Sequence, residues 1–315
     1  MEFRHLRYFL VLAEELHFGR AAQRLHISQP PLSFNIKQLE ASLGVQLLER
    51  NSHGVKLTPA GEVFRRSAQR VLAEAGAATR QARDVAAGVT SRVRIGFVGS
   101  MMFRGLPEHL ASFQARQPQV QVELTELNSA EQIEAFARGQ IDLGFVHTAR
   151  VPAELRHELY MSEPFVCCVP TGHVAAGSPV LDAAQLAGAP LVLFSRGASP
   201  DYYERVLALC AQLGLDPLVR HEVRHWLSVV ALVGKGMGVA LVPRALADSG
   251  VAGVAFVPLP ESAIRSEVFM LWNERSMPAI LPALTAHFLQ VAGGGGCRFA
   301  CLSGAIARTP RRFSA

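Results

Sequence analysis

The chain has 315 residues, half of them hydrophobic and 18% charged, which excludes a disordered or fibrous protein and predicts two or three globular domains. No run of apolar residues reaches the roughly 18 needed to cross a bilayer. The N-terminus also lacks the apolar stretch of a secretion signal, so we expect a cytoplasmic protein. Residues 1–90 carry 12 Lys and Arg against 8 Asp and Glu, residues 91–292 carry 15 against 18, and residues 293–315 carry 4 against none. A basic first segment suggests contact with a polyanion, although many solvated domains show an excess as large.

Three helices are predicted near the N-terminus. Apolar residues at helical spacing mark the first over Leu6–Ala13 and the second over Gly19–Leu25. A tight turn follows, and the third helix begins at Gln29 after Ser28, a residue suited to the N-cap position. Prolines are tolerated in a first helical turn because those N–H groups lack partners within the helix.

The third helix has one apolar face and one polar face. Its apolar residues recur at intervals of four, three and four: Leu32, Ile36, Leu39 and Leu43. The other face carries Gln29, Ser33 and Lys37, which are small or polar groups able to reach base edges and phosphates. Two short helices joined by a tight turn, with the second exposing such a face, predict a helix-turn-helix.

Two short extended stretches follow around the turn at residues 51–54, which predicts a β-hairpin beside the helices. The result is a winged helix-turn-helix, with Arg50 and Lys56 on the wing available to phosphates or to a minor groove.

A long helix is predicted from Pro59, with Thr58 as its N-cap. Its apolar residues recur at alternating intervals of four and three, the spacing of a coiled coil: Phe64, Ala68, Val71, Ala75, Ala78, Ala82 and Val85. This seam predicts a dimerisation helix. The alternative is an ordinary helix that packs on its own domain.

From residue 92 short β-rich runs alternate with helices, which is typical of an α/β fold. The predicted strands are Val93–Val98, Val120–Leu124, Ile141–Val146, Phe165–Val169, Leu191–Phe194, Val219–Val223, Val239–Val242, Val254–Val257 and Val268–Leu271. Helices are predicted around Leu110, Phe136 and Cys210 and after Pro278. About nine strands are many for one sheet, so we expect two lobes with a cleft between them.

Ligands of open α/β sheets bind beyond the carboxyl ends of strands, near helix N-termini. Four serines occupy such places: Ser100, Ser129, Ser195 and Ser199. Their hydroxyls suit a small carboxylate, although serines at helix starts are more often simple caps.

Other motifs carry less weight. The residues 221–225 match the zinc-protease pattern H-E-x-x-H, but they start in a predicted strand, where the two imidazoles would not share a helical face. We therefore expect no metal, no cofactor and no catalytic residues. Five cysteines, an odd number, argue against a disulfide scaffold. Cys167, Cys168 and Cys210 lie in core-like patterns, and Cys297 and Cys301 lie in a tail, residues 293–315, that we expect to be disordered.

Residues 1 to about 292 resemble the LysR-type transcriptional regulators. The most specific stretch runs from Phe18 to Ser33, F-G-R-A-A-Q-R-L-H-I-S-Q-P-P-L-S, and residues 57–61, L-T-P-A-G, also match. The resemblance implies a winged helix-turn-helix over 1–58, a linker helix over 59–90, and over 91–292 a two-lobed α/β effector domain similar to periplasmic binding proteins. Family members are usually homotetramers that change the bend of promoter DNA on binding a co-inducer.

Carried over by position, the resemblance assigns residues to both sites. Gln29, Pro30, Ser33 and Lys37 would face the major groove, with Arg50 on the wing and Thr58 near the DNA backbone. Phe34 departs from the polar residue usual there, which leaves contact with a thymine methyl as its role. The run Ile95–Ser100 resembles the subgroup that controls aromatic-acid catabolism, in which Ser100 and Ser129 would bind the acid. Ser129 stands where a threonine is usual.

We therefore predict a non-enzymatic regulator that responds to a small aromatic or dicarboxylic acid. Its expected partners are double-stranded promoter DNA, the effector and further copies of the chain as a dimer of dimers, with RNA polymerase as a candidate and no membrane. The rival hypothesis is a solute-binding or enzymatic α/β protein with an N-terminal interaction module, and binding to DNA separates the two.

Overall fold

The structure, a computed structural model, describes residues 1–51, 54–86, 91–274 and 277–295. The side chain of Arg50 and residues 296–315 of the tail, with Cys297 and Cys301, lie outside the described residues. The described residues fall into two compact units, one built on the first 86 residues with 131–142 and the other on 91–130 with the residues from 143 onward. No helix in the described part of the chain is long and apolar enough to span a membrane.

The first unit is a winged helix-turn-helix followed by a long helix, as the sequence predicts. Its elements are α1 (Phe3–Glu15), α2 (Phe18–Arg24), α3 (Gln29–Leu43), β1 (Leu48–Asn51), β2 (Gly54–Leu57) and α4 (Pro59–Ala86). Strands β1 and β2 pair antiparallel and form the wing. The predicted apolar face of α3 is buried at Leu32, Ile36 and Leu39, whereas Leu43 is partly exposed.

Two side chains fix the wing against the helices. Glu40 of α3 accepts hydrogen bonds at Oε1 from the backbone amides of Leu47, at 2.9 Å, and Leu48, at 3.1 Å. Thr58 caps α4 as predicted, because its Oγ1 accepts from the amide of Gly61 at 2.9 Å. The Thr58 hydroxyl also donates to the carbonyl oxygen of Gln46, at 2.9 Å. These contacts fix the wing to α3 at one end and to the start of α4 at the other.

Ser28 occupies the N-cap position of α3, but its side chain makes no capping hydrogen bond, so the prediction of a capping role is wrong. An N-cap oxygen accepts from the second or third N–H of a helix. Those positions in α3 are Pro30 and Pro31, which have no N–H to donate.

The predicted seam of α4 divides in two. The ring of Phe64 packs on Phe9, with 5.2 Å between ring centroids, and Ala68 is buried. These two positions belong to the core of their own unit, so the seam prediction is wrong for them and the alternative holds there. Further along, Val71 is 46% exposed, and Ala78 and Ala82 are also exposed.

The second unit contains the remaining strands. Their bounds are β3 (Ser91–Phe97), β4 (Val120–Glu126), β5 (Leu143–Val146), β6 (Arg156–Glu163), β7 (Phe165–Pro170), β8 (Pro190–Phe194), β9 (Leu218–Val223), β10 (Ala240–Pro243), β11 (Val254–Pro258) and β12 (Ser266–Trp272). The helices are α5 (Leu106–Arg116), α7 (Pro200–Gln212), α8 (Trp226–Gly234) and α9 (Leu281–Gly295), and α6 (Ser129–Ala137) begins in this unit and continues in the first. All nine predicted strands are present. The sequence missed β6, an edge strand whose charged and polar residues hide its pattern.

These strands form two lobes, as expected. The first lobe is a sheet of order β4-β3-β5-β12-β6, in which β3 runs parallel to β4 and β5. The second lobe contains β10-β7-β11 and the parallel pair β8-β9, joined by a bridge between Leu191 and Val239. Each lobe has its own hydrophobic core, and Cys167, Cys168 and Cys210 are buried in the second, as predicted.

We expect Gly61→Ala to lower the free energy of unfolding by about 1–3 kcal/mol, because overpacking destabilises. A Cβ at Gly61 would lie 2.1 Å from the carbonyl oxygen of Leu47, so the backbone must shift. Gly76→Ala in the same helix is the control. There a Cβ meets only the flexible end of Arg80, at 3.1 Å, and removing a helical glycine should stabilise by up to about 1 kcal/mol. Denaturant unfolding followed by circular dichroism measures both, and equal losses would contradict the packing argument.

Candidate DNA-binding surface and effector cleft

The predicted DNA-contacting residues of α3 lie on one exposed face. Gln29, Pro30 and Lys37 are exposed, Ser33 is partly exposed, and the ring of Phe34 is 65% exposed. An exposed apolar ring is able to contact the methyl group of a base. The face is thus open to a partner along its whole length.

In the second unit, residues that follow three neighbouring parallel strands converge. Ser100 lies in a short 3₁₀ turn, Gly99–Phe103, after β3, Ser129 starts α6 after β4, and His147 follows β5. Ser100 Oγ lies 3.1 Å from His147 Nε2, and the backbone amide of His147 donates to Ser129 Oγ, also at 3.1 Å. All three residues are buried. The structure therefore brings two of the predicted effector residues, Ser100 and Ser129, together around His147, which the sequence did not single out.

The signal for His147 was present in the sequence. The rule that selected Ser100, a polar residue directly after a buried strand, applies equally to His147 after Leu143–Val146. His147 is one of several histidines scattered through the chain, and it stands in no motif of its own.

Hydrogen bonding and burial fix the protonation of His147. Its Nδ1 lies 2.9 Å from the backbone carbonyl oxygen of Glu267, an atom that can only accept, so Nδ1 carries the proton. Burial, and then the positive charge of Arg104, lower the pKa of His147 to about 3. The ring is therefore neutral near pH 7, its Nε2 is an acceptor, and the Ser100 hydroxyl donates to it.

Aromatic residues of the second lobe cover this cluster. The ring centroid of His147 lies 5.0 Å from that of Tyr202 and 6.2 Å from that of Trp226, and Tyr202 and Trp226 are themselves 5.0 Å apart. Ser199, another of the four predicted serines, precedes α7 and is buried. Ser195 is only partly exposed, and its amide donates to the carbonyl oxygen of Val223 at 2.8 Å.

Charged groups around the cleft occur as pairs. Arg104 Nε lies 2.6 Å from Glu163 Oε1, and Arg104 Nη2 donates to the hydroxyl of Ser266 at 2.7 Å. Burial lowers the pKa of Arg104, and the charge of Glu163 opposes that shift. Arg205 Nη1 lies 2.6 Å from Glu267 Oε2.

The two lobes touch at the edge of the cleft. The Thr148 hydroxyl, directly after His147, donates to the carboxylate of Asp201 in α7, and Arg150 Nη1 lies 3.4 Å from the same carboxylate. These contacts hold the lobes together beside the His147 cluster.

The strand predicted across the H-E-x-x-H motif is confirmed. His221 lies in β9, and His225 is the N-cap of α8 with an extended backbone. Among the residues that the structure describes, no group of three or more His, Cys, Asp or Glu is placed to hold a metal ion.

A winged helix-turn-helix joined to a two-lobed domain with a buried polar cleft defines a DNA-binding protein that carries its own small-molecule sensor. Residues 3–62 match the model of the bacterial regulatory helix-turn-helix proteins of the lysR family, and residues 86–293 match that of the LysR substrate binding domain. The chain therefore belongs to the LysR family, whose members are transcriptional regulators and not enzymes.

Similar proteins span nearly the whole chain. It is 35% identical over 281 residues to the Hca operon transcriptional activator HcaR of Escherichia coli, covering 89% of this chain and 95% of the relative. It is 35% identical over 273 residues to the E. coli regulator YnfL, covering 86% and 92%. Among solved structures, the LysR family regulator CbnR in complex with its target DNA aligns with a TM-score of 0.57 and 29% identity, covering 93% of this chain and all of that one.

The neutral state of His147 predicts a loss of stability in acid. An unfolded His binds a proton near pH 6.5, whereas the folded ring resists protonation down to about pH 3, so this stability is present above pH 6.5 and is lost as the pH falls. Between pH 7 and pH 5 this residue should account for about 2 kcal/mol of unfolding free energy. Urea unfolding at both values, compared with His147→Gln, measures it. An equal loss in both proteins would show that His147 is not the cause.

Proposed function

We propose that this LysR-type regulator binds promoter DNA in the cytoplasm as a dimer of dimers and alters its DNA contacts when a small aromatic or dicarboxylic acid enters the cleft. The proposed division of labour follows the sequence prediction: DNA binding by 1–58, dimerisation by 59–90 and sensing by 91–292. The observation that carries the proposal is the buried convergence of Ser100 and Ser129 on His147 beyond the carboxyl ends of parallel strands.

The exposed face of α3 supports DNA binding through the major groove. Gln29 and Lys37 stand two helical turns apart on it with Ser33 between them, which suits an α-helix lying in a groove about 12 Å wide. Arg50 and Thr58 are proposed to reach the sugar-phosphate backbone. The Thr58 hydroxyl already donates within the protein, so it would meet a phosphate only as part of the structured N-terminus of α4.

The exposed part of the α4 seam supports an oligomer. Val71, Ala78 and Ala82 continue the apolar spacing on an exposed face of α4. A second copy of the helix would cover these residues, and alanines there allow two helices to approach closely. RNA polymerase remains a candidate further partner of the assembled regulator.

An effector shifts the regulator only if it binds one arrangement more tightly than the other. A tenfold preference supplies about 1.4 kcal/mol, enough to change the occupancy of an operator. The Thr148–Asp201 and Arg150–Asp201 contacts join the lobes beside the cleft, so a ligand that changes lobe closure acts directly on them.

A footprint of the purified protein on its own upstream intergenic DNA, with non-specific competitor at physiological salt, tests the proposal. We expect a protected inverted repeat whose extent changes with candidate aromatic or dicarboxylic acids. Absence of specific protection at every salt concentration would contradict the regulator function.

Lys37→Ala should weaken binding to the operator and reduce the slope of log K against log salt by about one, because one phosphate contact is lost. The chain has three lysines, and Lys235 is exposed in the second unit, so Lys235→Ala is the matched control and should leave the slope unchanged. Binding at several salt concentrations, followed by fluorescence anisotropy, measures both variants. An unaltered slope for Lys37→Ala would remove this residue from the phosphate contacts.

Ser100→Ala should weaken the response to effector while leaving operator affinity nearly intact. The variant removes the hydroxyl that donates to His147 and changes no residue of the DNA-binding unit. Effector titrations of the footprint and operator affinities without effector separate the two effects. Equal losses of response and of affinity would contradict the proposed division of labour.

A further inference from the structure

Polar atoms in the cleft lack protein partners. Among the described residues, Ser199 Oγ, Tyr202 Oη and Trp226 Nε1 are buried without a hydrogen bond, and each of these side chains is 2–3% exposed. Leaving such a group unpaired costs about 1–3 kcal/mol. Several unpaired groups in one cleft therefore point to a bound molecule that completes them.

The geometry directs Trp226 at the Ser100 turn, and Tyr202 lies beside both Trp226 and His147. The rings of Tyr202 and Trp226 contact each other and His147. A Cβ built on Gly99 would lie 3.8 Å from Cδ1 of Trp226, the carbon bonded to Nε1. The N–H edge of the indole thus faces the turn that carries Ser100. Since an indole N–H only donates and a phenol O–H can donate, this side of the cleft offers hydrogen bonds to an oxygen acceptor.

Ser100 offers the opposite polarity. Its proton is committed to Nε2 of His147, since Nδ1 already donates to the carbonyl of Glu267. Only the lone pairs of the Ser100 oxygen remain for a ligand, so the ligand must supply the hydrogen-bond donor. A carboxylic acid group satisfies both sides at once, because its C=O accepts and its O–H donates.

The surrounding charges favour the same form of the ligand. Arg104 and Arg205 both face His147, and they are paired with Glu163 and Glu267 respectively. Asp201 at the cleft edge is likewise paired with Arg150. Each of these arginine charges is matched by one carboxylate, so although Arg104 Nη1 has no hydrogen-bond partner among the described residues, a buried carboxylate would add a charge that nothing among these groups compensates, which is costly.

We propose that Tyr202 and Trp226 are effector-binding residues and that the cleft takes up the carboxyl group of its acid together with one proton. This inference rests on the proposed function of the cleft as the effector site. The proton enters from solvent with the anion and lies between the ligand oxygen and the Ser100–His147 pair. On entry one O–H bond forms on the carboxylate as an O–H bond of solvent hydronium breaks, the reverse occurs on release, and no other covalent bond changes.

Fluorescence of Trp226 tests the proton uptake. The chain has two tryptophans, so Trp272→Phe in the full-length protein leaves Trp226 as the sole indole reporter. This protein is titrated at pH 6, 7 and 8 with three acid and amide pairs: acetate and acetamide, hexanoate and hexanamide, benzoate and benzamide. For an acid that binds, the association constant should fall about tenfold per pH unit, and that of its amide should stay constant. A pH-independent constant for the acid overturns the proposal, as does an emission that no probe changes.

Tyr202→Phe, in the same background, tests the donors. Loss of one hydrogen bond should weaken binding of the acid about tenfold. Tyr203→Phe is the matched control, because its ring stacks with Arg196, at 5.5 Å from ring centroid to guanidinium carbon, on the adjacent position of α7. Equal affinities of the two variants overturn the role of Tyr202. Both should still protect the operator without effector. If the Trp272→Phe protein itself failed to protect the operator, the proposed function would be contradicted. The titration would still show whether the cleft takes up a proton with the acid.

Discussion

The hydrogen bonds of one buried histidine, through its ring and its backbone amide, organise the cleft. His147 joins Ser100 after β3 and Ser129 after β4, and it donates to the backbone of Glu267 in β12. Because the acceptor at Nδ1 is a carbonyl, the ring has one tautomer, and burial keeps it neutral. The polarity of the cleft follows from this single group, since it determines whether Ser100 donates or accepts.

The DNA-binding unit depends on a different kind of constraint. Two prolines remove the N–H groups that a cap would bind, so the first turn of α3 needs no side-chain cap from Ser28. At the other end of α3, Glu40 holds the first residues of the wing through their backbone amides. Glu40 thereby fixes the wing to α3 through backbone amides of the wing. The exposed side chains of α3 take no part in this contact, so they can differ between proteins that bind different DNA sequences.

A buried ion pair, Arg104–Glu163, lies at the end of β6, close to where the chain leaves the first lobe. Arg104 contacts Glu163 at the end of β6 and Ser266 at the start of β12, the two ends at which the first lobe meets the crossing segments. Breaking such a pair leaves a buried charge, which is costly, so these contacts hold the ends of β6 and β12 in place within the first lobe. The contacts at Asp201 join the two lobes instead, and they are weaker because this carboxylate is partly exposed.

Local pattern determined much of this protein from sequence. The apolar spacing of α3, the Thr58 cap and nine of the strands follow from neighbours a few residues apart, and the placement of Ser100 and Ser129 after strands follows from the α/β rule. The pattern did not determine β6, whose edge position removes the alternation of a half-buried strand, whereas the absence of a Ser28 cap follows from Pro30 and Pro31 in the sequence itself. It also missed Tyr202, Trp226 and the tautomer of His147. These depend on atoms from α7, α8 and β12 that lie far apart in the chain, and only tertiary packing decides which of them meet and which donor keeps its proton.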